Sequence, residues 1–238
     1  MTVLLELRDV SKSIGQLMIL SRLSFRLQAG EALGILGPNG AGKTTMLNLI
    51  AGETAPSDGK VFFKETDVTA VPAYRRCRLG IARTYQIPRP FGDMTVLENV
   101  LVGATYSFRN GGAPMAICRH VLDQAGLLER RDELAGRLGL LDRKRLELAR
   151  ALAARPSLLL LDEIGGGLTQ RELEQLSGVI GRIRENGTTL IWIEHVVHVL
   201  ASGVDRILAI NFGTRLCEGP PAEVLASREF QEVYLGVE

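Results

Sequence analysis

Nine consecutive residues, Gly37-Pro38-Asn39-Gly40-Ala41-Gly42-Lys43-Thr44-Thr45, constrain this chain more than any other stretch. They fit the pattern G-x-x-x-x-G-K-[ST], a loop that wraps the phosphates of a nucleotide. The apolar residues 33–36 lead in and read as a buried strand. Residues 44–50 lead out and read as a helix ending near Gly52. That strand–loop–helix order is the context the pattern requires. Glycines let successive backbone N–H groups turn inward as an anion nest, and the helix N-terminus adds partial positive charge. In such a loop Lys43 reaches the β- and γ-phosphates and the Thr44 hydroxyl ligates Mg²⁺. The other reading, a glycine-rich turn without a ligand, leaves Lys-Thr in register with correct flanks unexplained.

Composition sets the outer limits. The 238 residues suffice for one large domain or two small ones. Apolar content of 46% and charged content of 23% are ordinary for a soluble globular protein. A net charge of +1 gives no basic footprint, so no nucleic-acid partner is expected. Cys77, Cys118 and Cys217 are odd in number and far apart, which predicts reduced thiols and neither a disulfide framework nor a zinc site. No run of about 18 uncharged apolar residues exists, so no membrane-spanning helix is expected. The first nine residues lack a basic stretch followed by an apolar core, so no export signal is expected either.

Strand-like and helix-like segments alternate, which points to an α/β layered fold. Residues 4–7 and 23–27 are short β-like runs. Residues 158–161, after the Arg155-Pro156 break, read as a central parallel strand, and residues 189–193 and 206–210 look the same. Leu173, Leu176, Ile180 and Ile183 fall on one helical face; Thr169 with Glu172 resembles a capping box for that helix, and Asn186-Gly187 closes it. Residues from about 92 to 154 differ: Thr95 with Glu98, Pro114 at a helix start and Gly126 at a helix end punctuate a mostly helical insert.

A phosphate loop needs a second group on the metal side. Asp162, at the end of the 158–161 strand, is placed to hold Mg²⁺ directly or through water. Glu163 follows at once and could orient and polarise the water that attacks the γ-phosphate. Taken alone, a strand ending in two solvated acids is common; paired with the loop upstream, the two acids acquire a role.

Residues 37–45, Arg83-Thr84-Tyr85-Gln86, Leu160-Leu161-Asp162-Glu163 and Ile193-Glu194-His195 stand in the order and spacing of ABC-transporter ATPases. The chain most resembles the ATPase subunits of branched-chain amino acid importers. Met94-Thr95-Val96-Leu97-Glu98-Asn99-Val100 and Val233-Tyr234-Leu235-Gly236 are similar to that subgroup, and the resemblance covers essentially the whole length. It implies an α/β P-loop NTPase core with a mainly parallel sheet, an N-terminal antiparallel β subdomain and an α-helical insert. Residues 1–238 would form a single nucleotide-binding domain, with the helical subdomain at approximately 92–154. ATP and Mg²⁺ are the implied cofactors. The nucleotide is assigned to Gly37, Pro38, Asn39, Gly40, Ala41, Gly42, Lys43, Thr44, Thr45 and Ile14, the metal to Thr44, Gln86 and Asp162, and catalysis to Glu163, His195 and Gln86. Gln86 senses the γ-phosphate and Mg²⁺ and links the core to the insert; His195 corresponds to the switch histidine that contacts the γ-phosphate. His120 and His198 match no motif, and Trp192 is expected in the core.

The implied partners are membrane-spanning permease subunits, a second ATPase subunit and, indirectly, a periplasmic substrate-binding protein, with the chain cytoplasmic and peripheral on the inner face of the cell membrane. Alternatives are a degenerate nucleotide-binding regulatory subunit, or the ATPase of a urea or amide importer or of a lipopolysaccharide exporter. A DNA-repair ATPase built on the same head would need an insertion and basic surfaces that are not seen.

The sequence departs from the family pattern at named places. Where Leu-Ser-Gly-Gly-Gln or a close variant is expected, it reads Leu138-Gly139-Leu140-Leu141-Asp142. The serine hydroxyl is gone, leucines stand where backbone must approach phosphate, and Asp142 adds negative charge there. This is why a heterodimer is expected over a homodimer. Ile14 occupies the place of the aromatic that stacks on adenine. Ile164 replaces the usual proline after Asp-Glu. Thr169 sits where Asp or Asn is expected and serves as an N-cap. Gly165-Gly166-Gly167 is either a flexible communicating loop or only a turn, and Arg143-Lys144-Arg145 reads as a solvated helix face.

Overall fold

Apolar alternation opens the fold. Leu23, Phe25 and Leu27 are buried at every second position of β2 (Leu17–Gln28), which pairs antiparallel with β1 (Val3–Ile14). Both strands outrun the short runs legible in the sequence. Pairing, with several register shifts, carries the ladder through polar Ser11-Lys12-Ser13 to the tip, where Ile14 faces Leu17. The computed structural model describes residues 2–106 and 113–235. It divides into two units, residues 1–76 with 189–238, and residues 77–188.

In the first unit, β3 (Ala32–Leu36) is wholly buried and runs into α1 (Lys43–Ala51), which stops at left-handed Gly52. β4 (Asp58–Phe63) and β5 (Thr66–Asp67) complete an antiparallel sheet ordered β2-β1-β4-β5. The division between units falls inside α2 (Ala73–Leu79). Its Arg76 is fully buried and donates to the carbonyls of Leu49 (2.6 Å) and Ile50 (2.9 Å) in the last turn of α1, and to those of Val71 (2.8 Å) and Thr69 (3.1 Å). Burial lowers its pKa to about 10, so it stays charged at neutral pH and complements the negative end of α1.

In the second unit, β6 (Ile81–Arg83) pairs parallel with β7 (Leu158–Asp162). Between them lie α3 (Val96–Tyr106), α4 (Pro114–Gln124) and α5 (Leu140–Ala153), with α3 packed on both α4 and α5. Thr95 and Glu98 exchange the reciprocal bonds of a capping box before α3. Pro114 is the first residue of α4, and left-handed Gly126 follows its end. α6 (Gln170–Glu185) begins with Thr169 as N-cap and both capping-box bonds to Glu172, and left-handed Gly187 follows its C-cap Asn186.

The chain then returns to the first unit. β8 (Thr189–Ile193) and β9 (Arg206–Asn211) flank β3, both parallel to it, and β10 (Thr214–Gly219) adds antiparallel to β9. Trp192 is buried. α7 (Val197–Gly203), α8 (Pro221–Ala226) and α9 (Arg228–Leu235) finish the described chain. The sequence pattern alone predicts neither these three helices nor β4 and β10. Among the described residues no helix is long and apolar enough to cross a membrane, and no disulfide forms.

Candidate functional site

In the first unit, β3 delivers the phosphate loop. Ile35 pairs with Ile193 in the β3–β8 ladder, so Gly37 and His195 both lie two residues past the same register pair. His195 is exposed, with its N–H donating to the Glu194 carboxylate at 2.9 Å. The loop turns through Ala41 N–H to the Pro38 carbonyl at 3.1 Å. Gly42 then N-caps α1 at φ +98°, where a Cβ would stand 2.7 Å from Leu20 Cδ2 and 2.9 Å from the Ile19 carbonyl oxygen, so only glycine fits. α1 begins with no side-chain cap and no acid in its first turn. The positive dipole end of α1 thus meets no acidic side chain of its own first turn, an arrangement that suits an anion.

Lys43 is 6% exposed, and its ammonium lies back over the loop, donating to the carbonyls of Gly37 (2.6 Å) and Pro38 (3.0 Å). Thr44 is exposed and Thr45 half-buried in the first turn. Asn39 and Gly40 are exposed at the loop's crest. Ile14, 64% exposed, stands beside Leu17 and Met18 at the tip of the β1–β2 hairpin, an apolar edge without a ring.

In the second unit, β6 and β7 bring the other candidates together. Arg83 pairs with Leu160 in the ladder, which sets the residues that follow each strand side by side. The Gln86 amide donates to a Glu163 carboxylate oxygen at 2.7 Å, and Arg83 donates to Asp162 Oδ2 at 2.7 Å, this pair being almost wholly buried. Glu163 is held at φ +45°, a left-handed conformation costly for a side chain with a Cβ. Asp162 Oδ1 is buried without a hydrogen-bond partner among the described residues. Within this unit, an orphaned, buried carboxylate oxygen beside the Gln86 amide is of the hard oxygen type that Mg²⁺ takes, so Asp162 fits the metal.

The segment after Gln86 is tied down by α5. Lys144 is 1% exposed and donates to the Gln86 carbonyl at 3.0 Å; Arg150 donates to the Arg89 carbonyl at 2.9 Å and stacks over Phe91; Glu147, buried between them, pairs with Arg150 at 3.1 Å. Arg143 donates to the Gly136 carbonyl, and Arg145 pairs with Asp142 at 3.2 Å and bonds Gln175. The expectation of a solvated face at residues 143–145 is therefore corrected. A lysine can bury its stem and present its head to a carbonyl, which alternation of charge along the sequence does not reveal.

The altered signature forms the start of α5. Gly139 is the N-cap without a capping side chain, Gly139 and Leu140 are exposed, and Leu138 is buried. The Asp142 carboxylate is paired with both Arg130 and Arg145, so its charge is compensated locally. The Gly165-Gly166-Gly167 triplet lies in consecutive hydrogen-bonded turns, and Ile164 is buried. His120 and His198 are exposed on α4 and α7. Gly236, part of the expected ending motif, lies outside the described residues.

Residues 20–165 match the family model described as ABC transporter. The chain is 32% identical, over 98% of both chains, to the high-affinity branched-chain amino acid transport ATP-binding protein LivG of Salmonella typhimurium. It is 30% identical, again over 98% of both, to the corresponding BraF protein of Pseudomonas aeruginosa. Its fold is similar to a solved ATP-binding cassette of an ABC transporter in its ADP conformation, with a TM-score of 0.89 and 26% identity over 100% of both chains.

Proposed function

This chain belongs to the ABC transporter family, and from that premise we propose that it is the ATP-binding and hydrolysing subunit of a membrane importer for branched-chain or related amino acids. One observation carries the nucleotide reading: the loop of residues 37–45 opens into a helix whose N-terminus has neither a capping side chain nor an acid. The substrate class follows that of LivG and BraF, which the chain resembles over nearly its full length.

In this reading Lys43 leaves the Gly37 and Pro38 carbonyls for the β- and γ-phosphates, trading neutral acceptors for charged ones. Backbone N–H groups of residues 39–45 hold the remaining phosphate oxygens, and Ile14 packs against the base. Thr44, Asp162 and Gln86 would hold Mg²⁺, which when bound neutralises phosphate charge. Glu163 takes the proton of the attacking water as its oxygen bonds to the γ-phosphorus and the bond to the ADP oxygen breaks. Gln86 and His195 sense the γ-phosphate. Arg83 holds Asp162 in place through the buried pair.

The chain would sit on the cytoplasmic face of the membrane, bound to permease subunits and indirectly served by a periplasmic binding protein. Ile87, 69% exposed, and Phe91, 47% exposed, are apolar residues on the segment that α5 clamps, and we assign this segment to the permease. The altered signature supports a second reading, a subunit that binds nucleotide without turnover.

The test is nucleotide titration and turnover in an assembly with permeases and a partner ATPase. Lys43→Ala should lose ATP binding. Glu163→Gln should keep binding and lose hydrolysis by about 100-fold or more, the scale of a general base. Unchanged turnover in Glu163→Gln would remove Glu163 from that role. Binding without turnover in the wild-type assembly would favour the second reading.

A further inference from the structure

The phosphate loop is held from a place that its motif does not mention. Tyr234, on α9, accepts the backbone N–H of Gly37 on its phenol oxygen at 2.6 Å. Gly37 is buried, and a Cβ there would stand 2.5 Å from the Ile210 carbonyl oxygen, so this peptide is tightly enclosed. The carbonyl of the same residue accepts the Lys43 ammonium at 2.6 Å. The first residue of the loop is thus gripped on both sides, by Lys43 at its carbonyl and by Tyr234 at its N–H.

The grip of Tyr234 is itself braced. Its ring stacks on that of Phe230, one helical turn earlier, with centroids 4.4 Å apart and planes 17° from parallel. Phe230 is buried, and its N–H donates to the Ser227 hydroxyl at 3.4 Å. That hydroxyl also contacts Cys217 Sγ of β10 at 3.6 Å. Burial pushes the phenol pKa up, so the tyrosine stays neutral through the physiological range.

We propose that Tyr234 is a positioning residue of the nucleotide site: its phenol oxygen fixes the first peptide of the phosphate loop, and through that bond the docking of α9 is coupled to nucleotide binding. The inference rests on the reading that residues 37–45 bind nucleotide. When Lys43 turns to phosphate it releases the Gly37 carbonyl, and the N–H bond to Tyr234 is then the side-chain hold that remains on this peptide. A loop kept in place while its lysine moves retains the inward N–H groups that an anion needs. Coupling of this kind is reciprocal, so bound nucleotide should in turn favour the docked α9.

The test compares the full chain with Tyr234→Phe, which keeps the ring and its stack and removes only the acceptor. Calorimetric titration with MgATP and with ADP is paired with amide hydrogen exchange over residues 33–42 and with thermal melting without nucleotide. The expected result is a dissociation constant about three- to tenfold higher, the loss of one neutral hydrogen bond, with faster exchange at residues 33–42. Equal dissociation constants would overturn the proposal, as would a lower melting temperature with unchanged affinity, which marks a merely structural tyrosine. Should Tyr234→Phe not fold, Phe230→Leu, which loosens the stack and keeps the phenol, is read by the same measurements and criteria. If wild type itself binds neither nucleotide, it is the reading of residues 37–45 that fails; if wild type binds and the variant binds equally, only the role of Tyr234 does.

Discussion

In the proposed reading, a base lying over Ile14 would meet methyl groups where a ring would offer a π-face. The residue is largely exposed at the hairpin tip with Leu17 and Met18, so it can supply apolar contact area but no stacking. Aromatic pairing adds about 0.5–1.5 kcal/mol beyond buried area. Ile14→Tyr should therefore tighten ATP binding about two- to tenfold and widen the preference for ATP over GTP, read by titration with both nucleotides. An unchanged dissociation constant would separate Ile14 from the base. Asp142 shows how a neighbour changes the meaning of a residue. The sequence presents it as a negative charge near phosphate; in the fold Arg130 and Arg145 compensate it. What remains unfavourable in the signature is the missing hydroxyl at Gly139 and the bulk of Leu140 and Leu141.

At the scale of elements, α5 turns a charged face inward. Lys144, Glu147 and Arg150 are spaced three apart, so they follow one another up one side and meet the 86–91 segment in turn. Glu147 is the costly member. Desolvation raises its pKa above the usual carboxylate value, more than the nearby Arg150 and the Arg89 N–H lower it. The folded chain thus binds the Glu147 proton more tightly than the unfolded chain. The stability this contributes is fully present below the unfolded pKa and is lost as pH rises through the raised folded value. Glu147→Gln mimics the protonated form. Its melting temperature relative to wild type should therefore become more favourable as pH rises from about 4 towards 7. A difference that stays flat, or falls, across a pH series of thermal melts would show that the ion pair with Arg150 outweighs the burial.

At the scale of the assembly, the chain is uneven. Its own loop and carboxylates, Lys43, Thr44, Gln86, Asp162, Glu163 and His195, are all present, while its signature has lost a hydroxyl and gained bulk. We propose that a homodimer would join each sound half-site to a poor one, and that a partner ATPase with an intact signature would give one competent site using this chain's Glu163. The opposite site, facing residues 139–142, would hold nucleotide or turn it over slowly, since the start of α5 still offers N–H groups. The measurement is ATP turnover of the mixed assembly with Glu163→Gln in this chain or with the equivalent change in the partner. The first should stop most turnover and the second little. Equal losses, or vigorous hydrolysis by this chain alone, would refute the asymmetry.

The turn of residues 37–42, the start of α1, the parallel strands and the capping boxes at Thr95 and Thr169 were all legible in the sequence by itself. Each is decided by residues a few positions apart: a glycine that must turn left-handed, an apolar run long enough for one strand, a hydroxyl three residues from a carboxylate. The family pattern added Gln86 and pointed to the changed signature. Other features were settled only by tertiary structure. These are the buried Lys144 on the Gln86 carbonyl, Arg76 gathering four carbonyls, the long reach of β1 and β2, and Tyr234 on Gly37 across 197 positions. A lysine, an arginine and a tyrosine carry no local sign of which distant carbonyl or N–H they will meet. Their partners are backbone groups, which every residue has, and only packing chooses among them.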